Sequence, residues 1–281
     1  MPELAEVEFF RRRWAAGHRG RVRSVRVHPR ARVFREADPA RIAHALMGAR
    51  LAGSEAAAKQ MLFRFTGGAI GRGRSGWLGV HLGMSGELLV APADQAPARH
   101  DHLVLVQDRR ALVFRDPRMF GRIRFDVGAK PPQWWTAIAP AILSDHFTVE
   151  AVGDFLRRHA RSPIKAVLLR QERFPGIGNW MADEVLWRAA LHPARRSGSL
   201  RPAEVRALHR ECRWVCREAL ARNGGRGRPL PPDLNVNLPR SWLFWHRWED
   251  GGTCPRSGRP LARAEIGGRT TCWSPARQRL R

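Results

Sequence analysis

The spacing of hydrophobic residues changes once along this chain, near Pro131-Pro132 and Trp134-Trp135. Before that point, short stretches alternate polar and apolar residues between turn residues, which is typical of half-buried antiparallel strands. These stretches are 21–27, 60–65, 77–82, 87–90, 103–107, 111–115 and 122–126. After it, apolar residues recur at helical spacing in 145–159, 165–169, 181–190 and 203–222. The pattern predicts an α+β protein in which an antiparallel β-sandwich precedes a helical domain.

Domain boundaries follow from the same pattern, and 281 residues are enough for two cores. We expect a β-sandwich domain with flanking helices at 1–130, a linker at 131–142, a helical domain at 143–240 and a β-hairpin at 241–281. The flanking helices are expected from the start to about Ala16 and over 38–46, packed together. The hairpin strands are predicted at Leu261–Ala264 and Arg269–Trp273.

The charge of the chain points to a polyanionic partner. Lys and Arg total 50 against 25 Asp and Glu, a formal net charge of +25. A preference for Arg codons explains why only Lys59, Lys130 and Lys165 are lysines, but not the excess of cations over acids. No apolar run approaches the ~20 residues of a membrane span, and the four cysteines show no disulfide pattern. We expect a cytoplasmic, nucleoid-associated protein with no membrane partner.

The first residues, Met1-Pro2-Glu3-Leu4-Ala5-Glu6, combine an imino acid with two carboxylates. Removal of Met1 would expose the Pro2 ring nitrogen, and an α-amino pKa of roughly 7.7–8.0 leaves a nucleophilic fraction near neutral pH. Pro and Glu at these positions also favour the first turn of a helix, which is a purely structural interpretation.

Four motifs together resemble the formamidopyrimidine-DNA glycosylase and endonuclease VIII family of base-excision repair enzymes. They are Met-Pro-Glu-Leu-x-Glu-Val-Glu at the start, His-Leu-Gly-Met-Ser-Gly at 81–86, Asp-Pro-Arg-x-Phe-Gly at 116–121 and Gly-x-Gly-Asn at 176–179. The resemblance implies that the helical domain is a helix-two-turn-helix. Met119 replaces the second Arg of the third motif, so one phosphate contact is expected to be absent.

The resemblance also implies roles for individual residues. Pro2 would attack C1′ of the damaged nucleotide and form a Schiff base, followed by β,δ-elimination. Glu3 would move protons, Glu6 would position the sugar or amine, and Lys59 would hold a phosphate or the sugar. The DNA-binding residues it implies are Met84, Arg118 and Phe120, which replace the extruded base and wedge the stack, and Lys165, Asn179 and Arg269, which bind phosphates. No cofactor is expected, and the expected partner of a monomer is double-stranded DNA with oxidised bases or abasic sites.

A zinc finger with four cysteines is common at the carboxyl end of this family, but this chain departs from it. The aligned positions are Cys254, Ser257, Ser274 and Arg277. One thiolate cannot make a structural zinc site, so we predict no zinc and a "zincless finger" hairpin. Apolar packing is expected to replace the metal, with Trp242, Trp245, Trp248 and Trp273 as the candidates.

The motifs at 81–86 and 116–121 resemble the purine-specific branch of the family more than the other branch, which implies oxidised purines such as 8-oxoguanine and formamidopyrimidines as substrates. Oxidised pyrimidines, the substrates of endonuclease VIII, stay open because the segment 224–233, where a lesion-capping loop would lie, is divergent and Pro-rich. Two other functions also stay open: a damage-binding protein without catalysis, and a general nucleic-acid-binding or architectural protein.

Overall fold

The computed structural model describes residues 2–28, 30–225 and 229–280. The chain divides into two compact units, Met1–Ile138 and Ala139–Arg281. The division lies a few residues after the Pro131-Pro132 pair at which the hydrophobic period changes. None of the helices in the described ranges is long and apolar enough to cross a membrane.

Two four-stranded antiparallel sheets form the first unit, which confirms the predicted sandwich. Their orders are β1-β6-β7-β5 and β2-β3-β4-β8. The strands are β1 Ser24–Val27, β2 Arg50–Ala57, β3 Gln60–Thr66, β4 Ser75–His81, β5 Glu87–Pro92, β6 Asp101–Val106, β7 Arg110–Arg115 and β8 Arg122–Gly128. The sequence pattern does not predict β2, because its Ala, Gly and Ser residues have low strand propensity. Pairing with the apolar β3 along its length makes it a strand.

Within the described ranges, the first unit has three α-helices: α1 Leu4–Trp14, α2 Pro39–Leu46 and α3 Gln133–Thr136. α1 packs against β5, β2 and β3, whereas α2 packs mainly against β1 and the turn at 68–70. The expected packing of α2 on α1 is therefore wrong. α3 forms within the segment predicted as a linker, because Trp134 packs over Gly79 and donates a hydrogen bond to Asp126 at 2.8 Å.

The described residues of the second unit form four α-helices and one hairpin. The helices are α4 Val149–Arg158, α5 Ile164–Leu168, α6 Asn179–Arg188 and α7 Pro202–Arg222. α7 buries Leu208, Cys212, Val215, Cys216 and Ala219 at the spacing of a single helix face. The hairpin pairs β9 Ala262–Glu265 with β10 Thr270–Trp273, as predicted, and Thr270 lies opposite Glu265.

Candidate functional site

The start of α1 holds the two predicted carboxylates together. The backbone N–H of Glu3, the N-cap residue, donates to Glu6 Oε2 at 2.6 Å in a capping box. Both side chains are buried, with Glu3 only 2% and Glu6 only 6% exposed. The spacing of three residues is the spacing that a capping box requires. The segment does start a helix, but Pro2 lies just before the N-cap and not in the first turn. The two buried acids lie within four residues of Pro2.

The direction of α1 places Pro2 at one end of the sandwich. At the carboxyl end of the helix, Gly17 accepts a hydrogen bond from the Gln107 side chain, in the turn before β7. Trp14 donates to the Val113 carbonyl, near the middle of β7. Because a helix rises about 1.5 Å per residue, the preceding turns of α1 run toward the carboxyl end of β7. Pro2 therefore lies at the end of the sandwich where the Asp116–Gly121 loop begins.

Lys59 lies at the same end of the sandwich. Ala58 and Lys59 connect β2 to β3, and Ala58 adopts a positive φ of 53° in this tight turn. Gln60 pairs with His81 at the end of β4, so Lys59 adjoins the loop that follows His81. The Lys59 side chain is largely covered, with 8% exposure.

His81 shapes the loop that carries Met84. Burial, together with the positive charges of Arg122 and Lys59, lowers the pKa of His81 to about 4. The ring is therefore neutral at physiological pH, and its Nδ1 accepts a hydrogen bond from the Gly83 N–H at 3.1 Å. Gly83 has φ +64°, and a Cβ there would lie 2.4 Å from the Phe120–Gly121 backbone. Only glycine allows these two loops to approach so closely.

Asp116 joins the two loops, a role that is not among those predicted from the sequence. Its fully buried carboxylate accepts hydrogen bonds from the Ser85 hydroxyl at 2.7 Å and from the Gly121 N–H at 2.6 Å. Its backbone carbonyl accepts one from His102 Nε2 at 2.9 Å. The place of Asp116 at the head of the Asp-Pro-Arg motif was the available signal.

The loops present their predicted residues to solvent. Met84 is 45% and Phe120 44% exposed, which is unusual for large apolar side chains on otherwise well-packed loops. The Arg118 guanidinium lies over the Phe120 ring, 4.9 Å from its centroid. Met84, Phe120 and Arg118 therefore extend into solvent from two loops that Asp116 joins by hydrogen bonds. In total, the first unit brings Pro2, Glu3, Glu6, Lys59, Met84, Arg118 and Phe120 to one end of the sandwich.

In the second unit, two predicted phosphate-binding residues are neighbours. Asn179 is the first residue of α6, and its Nδ2 donates to the Thr270 carbonyl of the hairpin at 2.9 Å. Arg269 precedes Thr270 at the hairpin turn, and its side chain is exposed. The helix amino terminus and the arginine are therefore joined through one hydrogen bond. The positive end of the helix dipole at a helix amino terminus suits an anion.

The side chain of Lys165 does not lie where the predicted direct phosphate contact requires it. Its side chain has no exposed surface, and Nζ donates to the Asn179 carbonyl at 2.7 Å and to Asp183 Oδ1 at 2.5 Å. A phosphate cannot reach an ammonium buried in this way. The sequence could not show this, because Asp183 comes beside Lys165 only when α5 packs on α6.

The four aligned positions of a zinc finger do come together, but they do not fit zinc. Burial raises the pKa of the Cys254 thiol, but neighbouring polar groups, including Ser257 and Trp187, lower it to about 6. Trp187 Nε1 lies 3.4 Å from the sulfur, and the Arg277 guanidinium lies over the Trp187 ring at 5.5 Å. Two hydroxyls and a guanidinium are not the thiolate and imidazole ligands that structural zinc requires.

Other residues than the predicted tryptophans pack where the metal would lie. The buried cluster at this place contains Trp187, Leu243, Cys254 and Cys272, with Leu261 against it. Trp242 packs instead against Trp180 and Trp214, and Trp248 is 52% exposed. Trp245 contacts Phe244, and Trp273 contacts His192. Apolar side chains do pack at this place, as predicted, but they are not the four predicted tryptophans. Trp187 is not among the candidates because it lies far from the hairpin in sequence.

Two features together define the class of helix-two-turn-helix DNA glycosylases. One is a sandwich with Pro2 and exposed wedge residues at one end. The other is a helical domain whose Gly-x-Gly-Asn turn contacts a hairpin. The model of the formamidopyrimidine-DNA glycosylase N-terminal domain matches residues 1–123, and that of the H2TH domain of the same family matches residues 138–228. This chain belongs to the formamidopyrimidine-DNA glycosylase family.

Individual relatives agree with this membership. The formamidopyrimidine-DNA glycosylase of Roseiflexus sp. is 40% identical over 206 residues, which are 73% of this chain and 75% of the relative. That of Xanthomonas axonopodis pv. citri is 34% identical over 289 residues, 99% of this chain and all of the relative. The Lactococcus lactis Fpg, solved with DNA containing N7-benzyl-Fapy-dG, has the same fold with a TM-score of 0.84 at 24% identity, over 99% of this chain and 100% of that one.

Proposed function

We propose that this protein is a bifunctional DNA glycosylase and abasic-site lyase of base-excision repair that removes oxidised purines, with Pro2 as its nucleophile. One observation carries the proposal. The chain start, two buried carboxylates, Lys59 and three outward-facing side chains lie at the same end of one sandwich. Family membership supports the activity, and relatives named for formamidopyrimidine support the purine preference.

The reaction follows from these groups. The Pro2 nitrogen attacks C1′, the bond to the base breaks, and the base leaves with a proton. Glu3 gives a proton to the ring oxygen as the sugar opens, which leaves an iminium ion between Pro2 and C1′. Loss of a C2′ proton then expels the 3′ phosphate, and a second elimination expels the 5′ phosphate. Water releases the sugar fragment and restores the amine.

Reaching C1′ requires the nucleotide to leave the duplex. Met84 and Phe120 are suited to fill the gap, because apolar wedges offset the lost base stacking and Arg118 can face the orphaned base. Asn179 and Arg269 supply the phosphate contacts, and the buried Lys165 holds the Asn179 turn. We further propose a monomer that works on double-stranded DNA beside the nucleoid in the cytoplasm, as the net charge of +25 suits.

Borohydride trapping on a duplex with one abasic site tests the nucleophile. Wild-type protein whose intact mass shows loss of Met1 is expected to become covalently attached, and a Pro2→Gly variant is expected to be trapped more slowly, because it lacks the secondary amine. Undiminished trapping by the variant, or by protein that retains Met1, would contradict the proposal. A protein that binds damage without catalysis would give no adduct in any form.

Duplexes that each carry one lesion test the substrate. We expect faster excision of 8-oxoguanine and formamidopyrimidines than of oxidised pyrimidines, measured under single-turnover conditions. The reverse order would assign the endonuclease VIII preference. The predicted lesion-capping loop near 224–240 includes residues 226–228, which lie outside the described residues.

A further inference from the structure

Three charged side chains lie buried together in the second unit. Lys165 and Asp183 have no exposed side-chain surface, and that of Arg247 is 4% exposed. Asp183 Oδ1 is 2.5 Å from Lys165 Nζ, and Oδ2 is 2.6 Å from Arg247 Nη2 and 3.0 Å from Nε. The pairing of two cations with one carboxylate leaves this group with a net charge of +1.

A buried network of charges contributes little net free energy to the stability of a fold. Removing each ion from water costs several kcal/mol even after relaxation, and well-packed apolar residues are often the more stable choice. The cost is easier to understand if the network holds a geometry that the protein needs. Its hydrogen bonds show which geometry that is.

Asp183 and Lys165 connect the segments that carry the phosphate-binding residues. The backbone N–H of Cys272, in hairpin strand β10, donates to Asp183 Oδ2 at 3.1 Å. Lys165 Nζ donates to the Asn179 carbonyl at 2.7 Å, and Asn179 Nδ2 donates to Thr270 at 2.9 Å. One carboxylate therefore ties α5 and the start of α6 to the hairpin strand that follows Arg269.

The hairpin turn is seated on α5 by a second contact. A Cβ on Gly267 would lie 2.7 Å from the Ala166 Cβ, so the turn approaches α5 as closely as glycine permits. The hydrogen bond from the Cys272 N–H to Asp183 and the contact of Gly267 with Ala166 together fix the hairpin relative to the start of α6. Arg269 lies between these two points of attachment.

We propose that Asp183 is a positioning residue that fixes Asn179 and Arg269 relative to each other, so that both can bind lesion-flanking phosphates at the same time. The proposal rests on the proposed function only for the identity of the ligand. Asp183 itself contacts no DNA. Displacing a binding group by about 1 Å can cost as much as 100-fold in a reaction that depends on geometry.

The test measures equilibrium binding to a duplex with a stable abasic-site analogue, over a range of KCl concentrations. Each phosphate contact contributes about 0.9 to the slope of log K against log salt concentration. We expect Asp183→Glu, which keeps the charge but moves the carboxylate, to bind roughly 10- to 100-fold more weakly at low salt, with a slope smaller by about 0.9 to 1.8. The trapping rate at saturating protein is expected to stay within about threefold of wild type, because the chemistry belongs to the first unit.

The matched control is Glu184→Gln. Glu184 is the next residue on α6 and is equally buried, but it accepts hydrogen bonds from the Phe244 N–H and from Arg188 instead. This variant is expected to keep the wild-type affinity and slope. Equal losses of affinity and slope in both variants would assign the effect to general destabilisation of α6 and would overturn the proposal. An unchanged salt slope in folded Asp183→Glu would overturn it as well.

A second Asp183 variant covers a failure of the first to fold. Asp183→Asn combined with Lys165→Met removes one negative and one positive charge, so the buried net charge stays at +1. It is expected to show the same loss of slope, and wild-type binding by this protein would overturn the proposal. The proposed function fails separately, because wild-type protein that does not trap would refute the catalytic assignment while the salt slopes still report on Asp183.

Discussion

The Ser85 hydroxyl donates a hydrogen bond to Asp116 Oδ1 at 2.7 Å, across the gap between two loops at one end of the sandwich. The other oxygen, Oδ2, accepts from the Gly121 N–H at 2.6 Å. The loop that carries Met84 and the loop that carries Arg118 and Phe120 therefore share one buried anchor.

Asp116→Asn is expected to weaken this anchor. The amide has only one oxygen, so its NH₂ group would face either the Ser85 hydroxyl or the Gly121 N–H, both of which are donors. Leaving a buried donor without its acceptor costs roughly 1–3 kcal/mol. We expect excision of an oxidised purine to slow by about 10- to 100-fold, and cleavage of a preformed abasic site to slow less, since no base has to be displaced. Single-turnover rates on the two duplexes measure this. Ser85→Ala, which removes one hydrogen bond, should show a smaller defect of the same kind, and equal slowing on both duplexes would contradict the assignment.

Gly83→Ala is expected to destabilise the first unit, because its Cβ would meet the Phe120–Gly121 backbone at 2.4 Å in addition to the strain of φ +64°. Strain of this kind costs roughly 1–2 kcal/mol, and overpacking adds roughly 1–3 kcal/mol. Gly73→Ala is the control, since Gly73 has φ +69° but nothing within 4 Å of a Cβ. Urea unfolding of the two variants separates the two costs. Equal losses would show that the loops can move apart.

Cys254 should make stability depend on pH. Burial raises the pKa of the thiol, but the polar groups around it, including Ser257 and the Trp187 N–H, outweigh burial and bring the pKa down to about 6, from an ordinary value of 9. A lowered pKa stabilises the folded state fully above the ordinary value, and this contribution is lost as pH falls through about 6. The difference in unfolding free energy between wild type and Cys254→Ser should therefore shrink from pH 9 to pH 6. A difference that stays constant across this range would mean that folding does not lower the pKa of the thiol.

Glu184 should act in the opposite direction. Its burial raises the pKa to about 7, despite the nearby Arg188. A raised pKa stabilises the folded state below the ordinary value of 4.5, and that contribution disappears as pH rises through about 7. Glu184→Gln stays neutral, so its melting temperature should rise relative to wild type between pH 4.5 and pH 7. Calorimetry at four pH values checks this, and parallel curves would contradict it.

Much of this site could be predicted from the sequence because it depends on local chemistry. A capping box needs two acidic residues three positions apart, which is why Glu3 and Glu6 meet as soon as α1 forms. The hairpin at 262–273 and the buried face of α7 follow equally from turn residues and spacing. Family resemblance then placed Met84, Arg118 and Phe120 in loops that proved to be exposed. Their roles on DNA remain predictions.

The sequence by itself determined the sandwich, the helical second half, the hairpin and the acids that follow Pro2, because hydrogen bonds between near neighbours and the period of apolar residues specify them. Only the tertiary structure decided that Lys165 is buried against Asp183, that Asp116 joins two loops, and that Trp187 rather than the predicted tryptophans packs on Cys254. The partners in each of these contacts are separated by 18, 31 and 67 residues. The burial of a side chain depends on which distant segment covers it, and no local pattern records that.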